Sequence, residues 1–210
     1  MTQYIIGIDE AGRGPLAGPV AVGVALVQKN FRPKTNLTKV SLKDSKQLPE
    51  RAREAWFKYI KTNPKIFYAV AMVHQKTIDR INISQATNLA ATRALQKLIT
   101  NNKFPITKTQ IYLDAGIKIN TKPFPKSYPP AGGLNPKSLI KGDERITAIK
   151  LASIAAKVRR DAYMVKKHKL YPKYNFNMHK GYGTKAHSAT IKKFGPCVLH
   201  RKSFIRNLLS

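Results

Sequence analysis

The chain has 210 residues, with 39 Lys and Arg against ten Asp and Glu, a formal charge of +29 and a pI near 10.4. That length holds one good core, and 42% apolar residues with eight Phe, nine Tyr and one Trp exclude a disordered basic tail. So much charge implies a polyanionic partner, of which nucleic acid is the commonest, because the protein would otherwise repel itself. The Lys and Arg are spread through the whole chain and form no separate basic amphipathic helix, which argues against a membrane surface. Cys197 is the single cysteine, so neither an intrachain disulfide nor a thiolate zinc site is available. The histidines are scattered, only His179 and His187 come near each other, and no zinc spacing results. The start lacks a cationic region followed by an apolar one, and no apolar run approaches the ~20 residues of a membrane span. The expectation is a soluble cytoplasmic protein, monomeric by default.

In chain order, residues 4–8 and 20–28 are short, β-branched and bounded by Gly and Pro, and Ile66 to His74 reads similarly. Three strands this close in sequence predict an antiparallel meander. A basic loop ending in Leu42-Lys43-Asp44-Ser45-Lys46 follows the second strand. A helix opened by Pro49 comes next, with Ala52, Trp56 and Ile60 at helical spacing. Asn82 to Ile99 predicts a longer helix with Ile83, Ala86, Leu89, Ala90, Ala94, Leu95 and Leu98 on one face. Gln110 to Asp114 is a further strand, residues 119–137 an irregular excursion, and Ser138 to Lys141 a short strand closed by Gly142-Asp143. From Glu144 to about Lys169 the spacing of Ile146, Ile149, Ala152, Ala156 and Tyr163 predicts a long helix. The basic tail shows little periodicity before Ala186 to Phe194. The pattern describes an α/β chain, a mixed sheet with helices on its faces.

Asp9, Asp114 and Asp143 each follow a separate strand-like run, so adjacent strands would bring them to one edge. Converging carboxylates repel unless they share a cation, and oxygen-only ligands favour Mg²⁺ or Mn²⁺ over zinc. Two such ions about 3.5–4 Å apart suit in-line attack on a phosphodiester. Each acid also has a plainer explanation: Asp143 can cap the helix that follows, and Asp114 can start a turn. Glu10 can join Asp9 only if the strand ends or kinks there, or if one of the two acts through its main chain, since neighbouring strand side chains point to opposite faces. The Gly12-Arg13-Gly14 loop lacks the Lys-Ser/Thr of a P-loop, and Gly18 stands one residue late for a dinucleotide fingerprint. Its glycines admit a nucleic-acid backbone, and Arg13 can reach a phosphate.

Together, Gly7 to Pro15, Asp44-Ser45-Lys46, Leu113 to Gly116, Lys141 to Asp143, Ala152 to Val158 with Arg160-Asp161, His179 to Thr184, and Gly195-Pro196 with His200-Arg201 and Ser203-Phe204 resemble bacterial ribonuclease HII. The match runs in order over nearly the whole chain. The resemblance implies a ribonuclease H-like mixed sheet flanked by helices, as a catalytic core over residues 1–169. It also implies a small helical C-terminal extension over 170–210, packed on the core and contacting substrate. The implied activity is cleavage of the RNA strand of RNA–DNA hybrids and incision of duplex DNA 5′ to single embedded ribonucleotides. Two-metal hydrolysis with Mg²⁺ or Mn²⁺ would leave 3′-hydroxyl and 5′-phosphate ends.

The family's four catalytic, metal-binding acids fall on Asp9, Glu10, Asp114 and Asp143. Its loop that reads the 2′-hydroxyl falls on Gly12, Arg13 and Gly14, and its tyrosine that packs on the ribose falls on Tyr182. Ser45, Lys46, Ser153 and Lys157 fall where the family touches phosphates or supports the site. Glu144-Arg145 and Lys150-Leu151 replace mostly small residues, and Leu48 stands where Ser or Thr often caps the helix. Two other readings stay open: a ribonuclease H-like nuclease of different preference, and a non-catalytic basic RNA-binding protein whose acids are caps and turns.

Overall fold

The computed structural model describes residues 3–34, 40–102, 109–120, 136–139, 142 and 146–209. Five strands, β1 (Tyr4–Ala11), β2 (Val20–Gln28), β3 (Phe67–Val73), β4 (Thr109–Asp114) and β5 (Lys137–Leu139), form one sheet in the order β3-β2-β1-β4-β5. The expected meander is present, since β1 and β3 both pair antiparallel with β2. β4 runs parallel to β1, and β5 parallel to β4. The carboxyl ends of β1, β4 and β5 therefore lie at the same edge of the sheet.

Helices cover both faces. On one face α2 (Gln75–Asn102) buries Ala86, Ala90, Ala94, Leu95 and Leu98 against Ile6, Ile8, Val22, Val24 and Leu26. On the other, α1 (Glu50–Thr62) and α3 (Thr147–His168) bury Trp56, Ile60, Leu151 and Ile154 against Ala25 and Val27. Alternate residues of β2 thus enter different cores, which explains why that strand reads as an unbroken apolar run. The tail adds α4 (Phe176–His179), α5 (Lys185–Phe194) and α6 (Arg206–Leu209). Ala17, Met164, Tyr174, Phe176 and Leu199 form a third, smaller core beneath it. No helix among the described residues is long and apolar enough to cross a membrane.

The elements depart from expectation at several places. β1 continues through Asp9 and Glu10 to Ala11, because β2 supplies antiparallel partners as far as Ala21. The long helix α2 begins seven residues ahead of Asn82, where the backbone breaks at φ 63° and ψ 168°. The Asn82 side chain there accepts a hydrogen bond from the Gln85 amide at 3.0 Å and starts the second segment. Leu48 is not a cap: Pro49 occupies that position of α1, and Leu48 is a buried member of the adjoining core. Leu151, too, is a core residue, so only Lys150 of that pair carries charge on the described helix. Glu144 and Arg145 lie outside the described residues.

The contact that sets the height of α3 over the sheet is made by glycine. A Cβ on Gly7 would lie 2.2 Å from the Ala148 carbonyl carbon, and one on Gly23 would lie 2.1 Å from the Ala152 carbonyl oxygen. The helix backbone rests directly on β1 and β2, with Ala148, Ala152, Ala155 and Ala156 all buried. Overpacking there forces the layers apart. Gly23→Ala is expected to lower the urea unfolding free energy by about 3 kcal/mol. Gly14→Ala, whose Cβ meets nothing within 4 Å, should leave the midpoint unchanged.

Candidate active site

The register explains how distant acids meet. β1 pairs with β4 only as far as Ile8 opposite Leu113, so Asp9 and Asp114 follow side by side at the ends of that parallel pairing. Beyond Ile8, β1 stays paired with β2 but is no longer paired with β4. By strand alternation Asp9 shares a face with Gly7, under α3, whereas Glu10 starts on the α2 face with Ile6 and Ile8. With that flank open, Glu10 reaches round the strand end. Carboxylate oxygens of Asp9, Glu10 and Asp114 all lie within 4.8 Å of one another. Asp114 also begins a turn, its carbonyl accepting from the Ile117 amide, so its plainer explanation holds beside the other. Asp143 lies outside the described residues. Its neighbour Gly142 sits beside β4, a Cβ there falling 3.8 Å from the Leu113 carbonyl oxygen.

This is an electrostatically costly place. Burial, then the charges of Glu10 and Asp114, hold the Asp9 carboxyl well above the usual range, with the Ser153 hydroxyl opposing them. Burial also raises Glu10, against the pull of Arg13 and Lys46. Asp9 Oδ1 accepts from the Glu10 amide at 2.7 Å. Asp9 Oδ2 and Glu10 Oε2 are buried and have no hydrogen-bond partner among the described residues. Buried, crowded and unpartnered carboxylate oxygens are the donor set that a hard divalent cation satisfies.

The loop after β1 is held by two arginines that are fully buried. Arg201 donates to the carbonyls of Gly12 at 2.6 Å, Arg13 at 2.7 Å and Gly18 at 3.0 Å. Arg160 donates to Pro19 at 3.0 Å and Ala17 at 3.3 Å. Burial, and then the charge of Arg160, lower Arg201 to about 9, so each guanidinium depends on those carbonyls for solvation. Gly12 has φ +90°, and a Cβ on it would lie 2.0 Å from Arg160 Nε. Arg13 turns back toward the acids, 3.9 Å from Glu10.

The remaining expected residues fall into two groups. Ser45 and Ser153 are buried, 2.7 Å apart between hydroxyls, and Ser153 donates to Asp44 at 3.1 Å. Lys46 beside them is exposed. Lys157 pairs with Asp161 at 2.9 Å and stands 5.1 Å from the Tyr182 ring centroid, with Arg160 at 5.4 Å. Tyr182 is 38% exposed. Sequence reasoning missed the roles of Asp44, Arg160 and Arg201. Arg160 left one signal: it falls four residues after Ala156 and four before Met164, on the buried stripe of α3. His179, His187 and His200 gather beneath Tyr182, and only the first two stand near each other in the sequence.

The buried carboxylates carry a sign that can be checked. Because the folded state holds the Asp9 proton above the unfolded value of about 3.8, stability is greatest below that value and falls as pH rises through the folded one. In chelator, Asp9→Asn is expected to melt at a higher temperature than wild type at pH 7. The gap between them should open as pH rises above about 4, read by calorimetry.

Residues 6–207 match the family model described as Ribonuclease HII. A curated ribonuclease HII from Caldicellulosiruptor bescii is 43% identical over 209 residues, covering 99% of this chain and 89% of that one. The solved ribonuclease H2 from Pyrococcus horikoshii OT3 superposes with a TM-score of 0.69 at 25% identity, covering 98% of this chain and 97% of that one. Bst-RNase HIII in complex with Mn²⁺ shares the fold, with a TM-score of 0.63 at 20% identity, covering 92% of this chain and 63% of that one. With its mixed sheet, acidic edge and full-length relatives, the chain belongs to the ribonuclease HII family and is a ribonuclease H-type hydrolase.

Proposed function

We propose that this enzyme cuts the RNA strand of RNA–DNA hybrids and incises duplex DNA on the 5′ side of a single embedded ribonucleotide. Family membership supports the hybrid substrate. The observation that carries the rest is the convergence of Asp9, Glu10 and Asp114 beside the Gly12-Arg13-Gly14 loop. Asp9, Glu10 and Asp114, with Asp143 as the family resemblance implies, would hold Mg²⁺ or Mn²⁺. When bound, one or two such ions supply positive charge that activates water and stabilises the departing 3′ oxygen. Net hydrolysis adds water across the P–O3′ bond, leaving a 3′-hydroxyl and a 5′-phosphate. The Mn²⁺ complex of Bst-RNase HIII, which shares this fold, supports a divalent ion without choosing between the two.

Telling one ribonucleotide from deoxyribonucleotides requires contact with its 2′-hydroxyl. The loop suits that task because Arg160 and Arg201 hold its inner carbonyls, while the space beside Gly14 is open. Tyr182 offers a half-exposed ring for the neighbouring ribose, steadied by Lys157. Lys46, exposed and close enough to act on Glu10, would meet a phosphate. Ser45 and Ser153, buried with Asp44, would support the acids from below, Ser153 beside Asp9. The tail from residue 170 takes part through Tyr182. Phosphate contacts of this kind read no sequence and lose affinity steeply with salt.

The test is cleavage of a labelled DNA duplex with one ribonucleotide, beside a long hybrid and an all-DNA control. Wild type should cut the first two with Mg²⁺ and neither with chelator, and Asp9→Asn should lose at least about 10²-fold in kcat. Gly14→Ala, expected to be as stable as wild type, should raise KM on the single-ribonucleotide duplex. Wild type that cuts under no divalent ion would remove the enzymatic reading. Equal cutting of the all-DNA control would remove the ribonucleotide specificity.

A further inference from the structure

The three histidines under Tyr182 form a chain of hydrogen bonds whose direction can be worked out. His187 Nδ1 stands 2.8 Å from the Tyr182 carbonyl oxygen, which can only accept, so this nitrogen carries the proton and donates. His187 is fully buried, and burial lowers it to about 4, so the ring is neutral and its Nε2 must accept. The donor is His200 Nε2, 3.1 Å away. His200 Nδ1 then has a lone pair, which takes the Cys197 amide at 2.9 Å. The chain runs from Cys197 N–H through His200 and His187 to the Tyr182 carbonyl. His179 stacks on His187 with centroids 4.1 Å apart, accepts from the Gly181 amide at 3.1 Å, and donates to the Tyr174 carbonyl at 2.7 Å.

The same two segments grip the loop after β1. The Gly181 carbonyl accepts from Leu16 at 2.8 Å and from Ala17 at 3.3 Å. The Leu199 carbonyl accepts from Gly18 at 2.8 Å, and the Arg201 amide donates to Leu16 at 2.8 Å. A Cβ on Gly181 would fall 2.5 Å from the Ala17 carbonyl oxygen, so the two backbones are in contact. Tyr182 and the Gly12-Arg13-Gly14 loop are therefore joined through one small frame, of which His187 and His200 are the interior members.

We infer that His187, backed by His200, is a positioning residue for ribonucleotide recognition: it fixes the Tyr182 main chain so that the ring and the Gly12-Arg13-Gly14 loop meet the substrate in register. This rests on the role given above to Tyr182. His187 touches no substrate. Its effect on turnover passes through where the tyrosine ring stands.

Side-chain chemistry separates this role from general packing. Asn places an amide nitrogen where His187 Nδ1 stands and keeps the donor to Tyr182, whereas Gln reaches toward His200 and loses it. On the single-ribonucleotide duplex with Mg²⁺, H187Q should raise KM roughly fivefold to tenfold. Its kcat should stay near wild type, and H187N should restore most of the loss. Added to Y182A, H187Q should change KM no further, because the ring it positions is gone. A wild type that cuts and a Y182A variant that is impaired, with H187Q matching wild type or adding its full effect to Y182A, would overturn this inference and leave the enzymatic reading standing. Wild type that does not cut the duplex, or an unimpaired Y182A, would overturn both the tyrosine role and the inference. Should H187Q not fold, the imidazole ¹⁵N shifts of wild type at pH 7 decide: protonation at His187 Nδ1 and His200 Nε2 supports the chain, and the opposite tautomer of either ring overturns it.

Discussion

Carboxylates within 4.8 Å of one another at a largely buried strand end repel, and the fold has to hold them there. What holds them is the close seating of α3 on β1 and β2. Because Gly7 and Gly23 have no side chains, the helix backbone lies against the sheet, and Ser153 comes down beside Asp9. Parallel pairing of β1 with β4 then sets Asp9 and Asp114 abreast. Neither constraint is local to the acids. The repulsion is borne by packing spread over both cores, and a cation at the unpartnered oxygens would relieve it.

A second constraint concerns the loop that follows. Five of its carbonyls are taken by Arg160 and Arg201, side chains from α3 and from the tail. A buried guanidinium demands such partners, so loop and arginines order one another. The tail is fixed in turn from α2: Asp79 accepts from the Lys202 and Ser203 amides, and Gln75 donates to the Val198 carbonyl. Those contacts come from the segment ahead of the Asn82 break. The kink lets one long element both cover the sheet and hold the tail against the loop after β1.

Much of this was legible in the sequence. The meander, the apolar stripe of α2, the helix α3 and Asp114 at the end of β4 follow from periodicity and turn residues, and the structure has them. Glu10 was legible from the family resemblance and not from periodicity, because alternation sends it to the other face and the end of β4 pairing at Ile8 leaves that flank of the strand open. The segment 75–81 was not legible, since the backbone break at Asn82 separates it from the stripe that follows. Arg201 lies in a tail without period, and its partners stand more than 180 residues away. His200 is likewise 13 residues from His187, with the rest of α5 and a turn between them. Long-range polar contacts leave no period to read, whereas apolar faces do.

The few acids show how this charge balance is organised. In a chain of net charge +29, a carboxylate placed at random finds a surface cation, and such pairs are worth little. Most of the described acids do otherwise. Asp44 lies buried with Ser45 and Ser153, Asp79 caps main-chain amides of the tail, and Asp161 holds Lys157 and Arg160 near Tyr182. Each braces a residue that touches or supports the candidate site, and Asp9, Glu10 and Asp114 are the site itself. The cations need no such placement, because a phosphate backbone is met along its length and tolerates many arrangements of Lys and Arg. Apart from the buried Arg160 and Arg201, positive charge here is largely a property of the surface, and negative charge a property of positions. That asymmetry suits a nuclease that holds a nucleic acid of any sequence along its backbone and cuts it at one fixed place.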